Sequence, residues 1–180
     1  DLLFAEPALP HVRGLLRRSH KLIAGILNGG KVTNTYRPRL CLFELKYGDS
    51  ALGGKSGMVD HLEKALQFCK AQTLEELKDE MVKLFSQKRK LQLVHFAKTG
   101  APGEIVELDA RPMFIFLLAN HNPRSTVLGR VLDSLEFKNA HAELSKHMDI
   151  RFGVASFLGY GLYEEHHMLT LEKFRSLLVV

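Results

Sequence analysis

The sequence predicts an α/β domain built on a mixed central sheet flanked by helices. Residues 39–46, apolar on both faces until the run nears its end, and residues 113–119, apolar on both faces, have the length and pattern of interior strands. Segments with helical spacing lie between and after them. No repeat, low-complexity tract or internal linker divides the chain, so one domain with its own core is expected over 180 residues.

The elements follow in order. Residues 1–5 predict a strand, interrupted by Pro7 and Pro10. From 10 to 27 the residues Val12, Leu15, Leu16, Leu22, Ile23, Ile26 and Leu27 have helical spacing, and Asn28-Gly29-Gly30 supplies a stop. Residues 31–36 predict a short strand and 39–46 the clearest one. A Gly-rich loop over 48–56 leads to a helix over 57–70, and Thr73 with Glu76 has the spacing of a capping box for a helix over 73–90. Residues 91–97 and 104–108 predict a hairpin across Gly100-Ala101-Pro102-Gly103. Residues 113–119 predict a buried strand, 122–135 and 139–147 two helices, and 150–158 a strand. Thr170 caps a closing helix over 171–178.

Composition narrows the function classes. The hydrophobic fraction of 46% and charged fraction of 25% are those of a globular protein. No apolar run reaches membrane-spanning length, so no membrane partner is expected. The chain opens on Asp1 without a basic-then-apolar signal, and it reads as a piece of a longer chain. Cys41 and Cys69 lie in apolar surroundings and read as reduced core thiols, which points to the cytoplasm. The net charge is +5, and no acidic residue stands between Glu6 and Glu44. Arg13, Arg17 and Lys21 stand four apart and would form one basic stripe on a helix. Such a stretch suits a polyanion such as nucleic acid, or is a solvated basic surface.

The chemistry concentrates at the end of the 39–46 strand. Side chains alternate, so Cys41, Phe43 and Leu45 share one face and Leu42, Glu44 and Lys46 the other. A carboxylate and an ammonium on one face of an interior strand are costly unless paired or bound. Glu44 can hold a hard cation through oxygen, and Lys46 can orient a water or stabilise phosphate charge. A salt bridge at a strand end is the alternative. The same tripeptide at Glu76-Leu77-Lys78 reads as a helix-surface pair.

Leu42-Phe43-Glu44-Leu45-Lys46 resembles the E-x-K strand of the PD-(D/E)XK nuclease superfamily. Tyr47-Gly48-Asp49-Ser50, Ser56-Gly57 and Met58-Val59-Asp60-His61-Leu62-Glu63 resemble the loop and helix that often follow it. The resemblance covers mainly residues 38–70. It implies a restriction-endonuclease-like fold and Mg²⁺- or Mn²⁺-dependent hydrolysis of a phosphodiester, with DNA as the expected substrate. It assigns cation binding to Glu44 and assistance of hydrolysis to Lys46. The family also places an aspartate on the adjacent strand, shortly before the glutamate. The residues 7–43 contain neither Asp nor Glu, so Asp1 is the first candidate for catalysis and metal binding, with Glu6 and Asp49 behind it.

Other signals leave alternatives open. Gly53-Gly54-Lys55-Ser56 resembles part of a phosphate-binding loop, but the full G-x-x-x-x-G-K-[ST] spacing is absent. Lys55 can still grip a backbone phosphate. His61 is either a substrate contact or a hydrogen-bonded core histidine. Asn120-His121-Asn122 follows a buried strand, where α/β folds often face ligands, or is a polar turn. Glu164-Glu165-His166-His167 could catch a metal ion, but the spacing matches no zinc site. The expectation is a nuclease. The rivals are a non-cleaving module of the same fold that binds nucleic acid or protein, and a nucleotide-binding domain. A second copy of the chain is a further candidate partner.

Overall fold

The computed structural model describes residues 3–5, 22–28, 38–70, 73–93, 105, 107–119, 126–155 and 168–178. Five strands form one sheet in the order β1-β2-β3-β4-β5: β1 is Leu3–Ala5, β2 Leu22–Asn28, β3 Pro38–Tyr47, β4 Met113–Ala119 and β5 Asp149–Ala155. β1 pairs antiparallel with β2, and β2 antiparallel with β3. β3, β4 and β5 run parallel. Parallel neighbours need long crossovers, and helices supply them. α1 (Met58–Lys70) and α2 (Thr73–Lys90) lie between β3 and β4; α3 (Thr126–Asp133) and α4 (Leu135–Leu144) lie between β4 and β5; α5 (Leu171–Ser176) follows. The mixed α/β class expected from the sequence is the one observed.

Alternation explains how the sheet divides its core. Leu40, Leu42, Phe114, Phe116, Leu118, Ile150 and Phe152 point to one side. There they meet Met58 and Leu62 of α1, Leu77 and Met81 of α2, Leu128 and Leu132 of α3, Phe137 and Leu144 of α4, and Phe174 of α5 in one buried cluster. Phe152 stacks on Phe116 with ring centroids 5.6 Å apart and on Phe174 at 5.3 Å, tying the sheet to α5. On the other side Cys41, Phe43, Met113, Ile115, Leu117 and Met168 form a smaller cluster. Cys41 and Cys69 are free thiols, and burial pushes the Cys69 thiol up to about 11.

Several expectations are corrected. The helix expected over 10–27 is overturned at its end, where Leu22–Asn28 form β2; residues 10–21 lie outside the described residues. Leu22-Ile23-Ala24-Gly25-Ile26-Leu27 is a short continuous apolar run, whose period alone does not separate helix from strand. Gly25 weakens a helix, and pairing on both edges wins. In the expected hairpin, Leu91 and Gln92 form the turn that ends α2, and Leu93 is exposed. Ile105 and Leu108 are buried outside any strand, and the Asp109 amide donates to the Pro38 carbonyl at 2.8 Å. The helix expected to run to 135 stops at Asp133, because the Ser134 hydroxyl accepts from the Phe137 amide and starts α4. Lys78 is not on the surface. It is buried, paired with Glu75 at 2.8 Å, and donates to the Ala110 carbonyl at 3.0 Å. The strand expected over 31–36 lies outside the described residues. Thr170 caps α5 as expected.

Replacing Phe152 by Ala removes the ring shared by sheet and helices. It should lower stability by about 3–5 kcal/mol. The check is urea unfolding, where the midpoint should fall with little change in slope.

Candidate functional site

β3 inverts the usual polarity of a strand at its end. Leu45 and Tyr47 are 44% and 65% exposed, whereas Glu44 and Lys46 on the opposite face are 1% and 3% exposed. Glu44 stands in register with Leu22 of β2 and Phe116 of β4, so apolar strands flank it on both sides. α1 closes the face over it and brings His61, 5% exposed, to the carboxylate.

The three groups are in contact. Lys46 Nζ lies 3.0 Å from Glu44 Oε1, and His61 Nδ1 lies 3.1 Å from Glu44 Oε2. Neither Glu44 oxygen makes a hydrogen bond of good geometry, and His61 Nε2 has no partner among the described residues. Lys46 also donates to the Ser56 carbonyl. Burial lowers the Lys46 pKa below 10.5; the Glu44 carboxylate opposes this and Asp60 opposes it further, while Lys64 adds to it. Asp60 and Lys64 pair with each other at 2.6 Å.

The Gly-rich loop places the Ser56 carbonyl. Two 3₁₀ turns, Asp49–Ala51 and Gly54–Ser56, carry the chain from β3 to α1. Gly48 and Gly54 have φ of 69° and 74°, which favour glycine. A Cβ on Gly57 would lie 2.6 Å from the Gly53 carbonyl carbon, so the loop doubles back closely there. The Met58 amide donates to Leu52 O at 2.9 Å and anchors the return. Tight folding therefore accounts for these glycines. Lys55 and Ser56 sit in a 3₁₀ turn before α1 begins at Met58, so they do not open the helix as a phosphate-binding loop requires. Lys55 is exposed.

The fit to a divalent cation is partial. Glu44 offers two buried oxygens that make no hydrogen bond of good geometry among the described residues, which suits a hard cation. Among the described residues, however, no group of three or more His, Cys, Asp or Glu side chains could hold a metal ion. β2 and β4, the neighbours of β3, carry no acidic residue. Asp1 and Glu6 lie outside the described residues. β1, which follows Asp1, pairs with β2 and not with β3, so the direct pairing that would bring Asp1 beside Glu44 is not made. Leu3 is level with Ile26 and thereby with Leu40, four residues or roughly 13 Å before Glu44 along β3. Arg13, Arg17 and Lys21 also lie outside the described residues, as do Asn120-His121-Asn122 and Glu164-Glu165-His166-His167. Asp49 opens the first 3₁₀ turn after β3.

Sequence reasoning singled out Glu44, Lys46 and His61, and the structure brings these three together. It missed the Ser56 carbonyl, because a backbone acceptor leaves no residue-type signal. The Asp60–Lys64 pair was legible from its i, i+4 spacing. No helix among the described residues is long and apolar enough to cross a membrane. Comparison with protein-family models, with curated proteins and with solved structures returns no match.

The buried pair predicts an asymmetric response. Lys46→Met should destabilise by about 3–5 kcal/mol, since it removes the ammonium from a buried carboxylate. Glu44→Leu combined with Lys46→Met should recover most of that loss, as measured by urea unfolding at neutral pH. A folded-state pKa below 10.5 also fixes a pH dependence. Between that lowered value and 10.5 the unfolded chain binds more protons at this lysine than the folded one, so its contribution to stability rises with pH. Subtracting the profile of the double variant from that of the wild type should isolate this slope.

Proposed function

We propose that the chain is a metal-dependent phosphodiester hydrolase of restriction-endonuclease-like fold, acting on DNA, with its site at Glu44, Lys46 and His61. The inverted polarity at the end of β3 carries the reading. Burying a carboxylate, an ammonium and an imidazole while leaving Leu45 and Tyr47 in water works against folding. Such a local conflict is expected where a site is being built. The Glu44-x-Lys46 order on an interior strand, the helix after it and the buried parallel strand β4 support the same reading.

The residues take the following roles. Glu44 would hold Mg²⁺ or Mn²⁺ through its carboxylate, with further ligands from water, substrate phosphate and an acid such as Asp1 or Glu6. The bound cation supplies Lewis acidity toward the phosphate oxygens. Lys46, with its lowered pKa, gives up its proton more readily than an ordinary lysine and can take one from the attacking water. When protonated it instead stabilises charge on the phosphate. Lys46 donates to the Ser56 carbonyl of the β3–α1 loop, and on binding it would exchange that acceptor for a substrate oxygen. Lys55 on that loop, and Arg13, Arg17 and Lys21, dock the phosphate backbone.

A second reading is favoured by one observation. The acid-free strands on both sides of Glu44 suit a module that binds nucleic acid or protein without cleaving it.

Supercoiled plasmid DNA incubated with Mg²⁺ or Mn²⁺ separates the two. The hydrolase should cut it, EDTA should stop it, and Glu44→Ala should abolish cutting with little loss of DNA binding. Lys46→Ala should slow cutting by about 100-fold or more. Cleavage that persists unchanged in folded Glu44→Ala would sink the hydrolase reading; no cutting by folded wild type on single- or double-stranded DNA would favour the binding module.

A further inference from the structure

We infer that the cavity between the β3–α1 loop and the α3–α4 junction takes one unpaired base of a DNA strand whose phosphate lies at Glu44 and Lys46. The inference rests on the proposed function and deepens it, because it names the form of DNA the site prefers: single strands over duplex.

The cavity adjoins the buried cluster through one peptide group. The Ser56 carbonyl accepts from Lys46, and Gly57, the next residue, lines the cavity. A nucleotide base that fills the cavity is therefore held beside the ammonium. The volume is about 320 Å³, at the lower end of the range for small-molecule sites. That space admits one planar ring system and excludes a stacked duplex. A base must leave its stack to enter.

The lining suits a neutral ring with a polar edge. Leu52, Val59 and Val131 supply apolar walls against which the face of a base can pack. The Ser134 hydroxyl is already engaged, donating to the Val131 carbonyl at 2.9 Å and accepting from the Phe137 amide at 3.2 Å. Recognition of the edge thus falls to Arg130 and Glu136, both exposed on the lining. Arg130 donates and Glu136 accepts, as the edge of a base requires. Their opposite charges cancel, so the cavity itself offers no net attraction to a phosphate.

Gly53 is an independent sign of an occupant. Gly54 is glycine for its φ of 74°, and Gly57 for its close approach to Gly53. Gly53 has neither reason. Its φ of −119° and ψ of 179° are extended backbone open to other residues, and an added Cβ would meet nothing within 4 Å. Gly53 also lines the cavity, so its missing side chain leaves room there for a ligand to approach the backbone.

The test is DNA binding in EDTA, where no metal-dependent cutting occurs, read by fluorescence anisotropy. The probes are a single-stranded oligonucleotide, its duplex, and a strand of equal length whose sugars carry no bases. Wild type should bind the base-bearing strand about tenfold or more tightly than the base-free strand, and more tightly than the duplex. Gly53→Val, which fills space at an extended position, should lose about tenfold on the base-bearing strand and nothing on the base-free one. 2-Aminopurine in the strand should brighten on binding wild type and not on binding Gly53→Val. Arg130→Gln should also lower the ratio of base-bearing to base-free affinity, and serves if the valine variant does not fold. Equal binding of the two strands by wild type would overturn the inference, as would tighter binding of duplex or a ratio unchanged in a folded variant. Plasmid cleavage keeps the two readings apart. Metal-dependent cutting without a base preference upholds the hydrolase against the base site; a Gly53-dependent base preference without cutting does the reverse.

Discussion

The burial of a carboxylate beside an ammonium on β3 is the constraint around which the described structure is arranged. β3 has apolar neighbours on both edges, and neither Leu22 nor Phe116 can compensate a charge at Glu44. Compensation comes from β3 itself, through Lys46, and from the helix packed above, through His61. Each contact stands near hydrogen-bond distance, yet neither Glu44 oxygen makes a hydrogen bond of good geometry among the described residues.

The loop between β3 and α1 makes that cluster possible. Its two positive-φ glycines and the close approach of Gly57 to Gly53 shorten the path from strand to helix. One consequence is that the first turn of α1 lies over the end of β3, which brings His61 to Glu44. Another is that the Ser56 carbonyl meets the Lys46 ammonium. A single stretch of backbone thus positions partners for two of the three polar groups. The aromatic stack of Phe116, Phe152 and Phe174 does the complementary work on the strands beyond, giving β4, β5 and α5 a common core.

Much of this was legible in the residues, for specific reasons. β3 and β4 are apolar on both faces, which marks interior strands. Glu44 and Lys46 stood out because they break that pattern on one face. β2 was misread because Leu22 to Leu27 offers apolar residues at every position, so the helical spacing of the residues before it extended through it by default. Its pairing with β1 and β3 is a long-range fact that no local window contains. The break at Ser134 was missed for the opposite reason: a cap formed by one hydroxyl is local but resembles any serine inside a helical run. The burial of Lys78 depended on the Ala110 carbonyl 32 residues away.

The register also reshapes the question of the second acid. The nuclease reading of residues 38–70 expects an aspartate on the strand beside the glutamate. Here the strand beside Glu44 presents Leu22 at its level, and no position of β2 is acidic. β1 lies one strand further out, running in the same direction as β3. A chain that travels along β1 from Leu3 to Ala5 advances toward the level of Glu44 and not away from it. Compensation for Glu44 within the described sheet therefore falls to Lys46 on β3 itself and to His61 from α1, and not to either neighbouring strand.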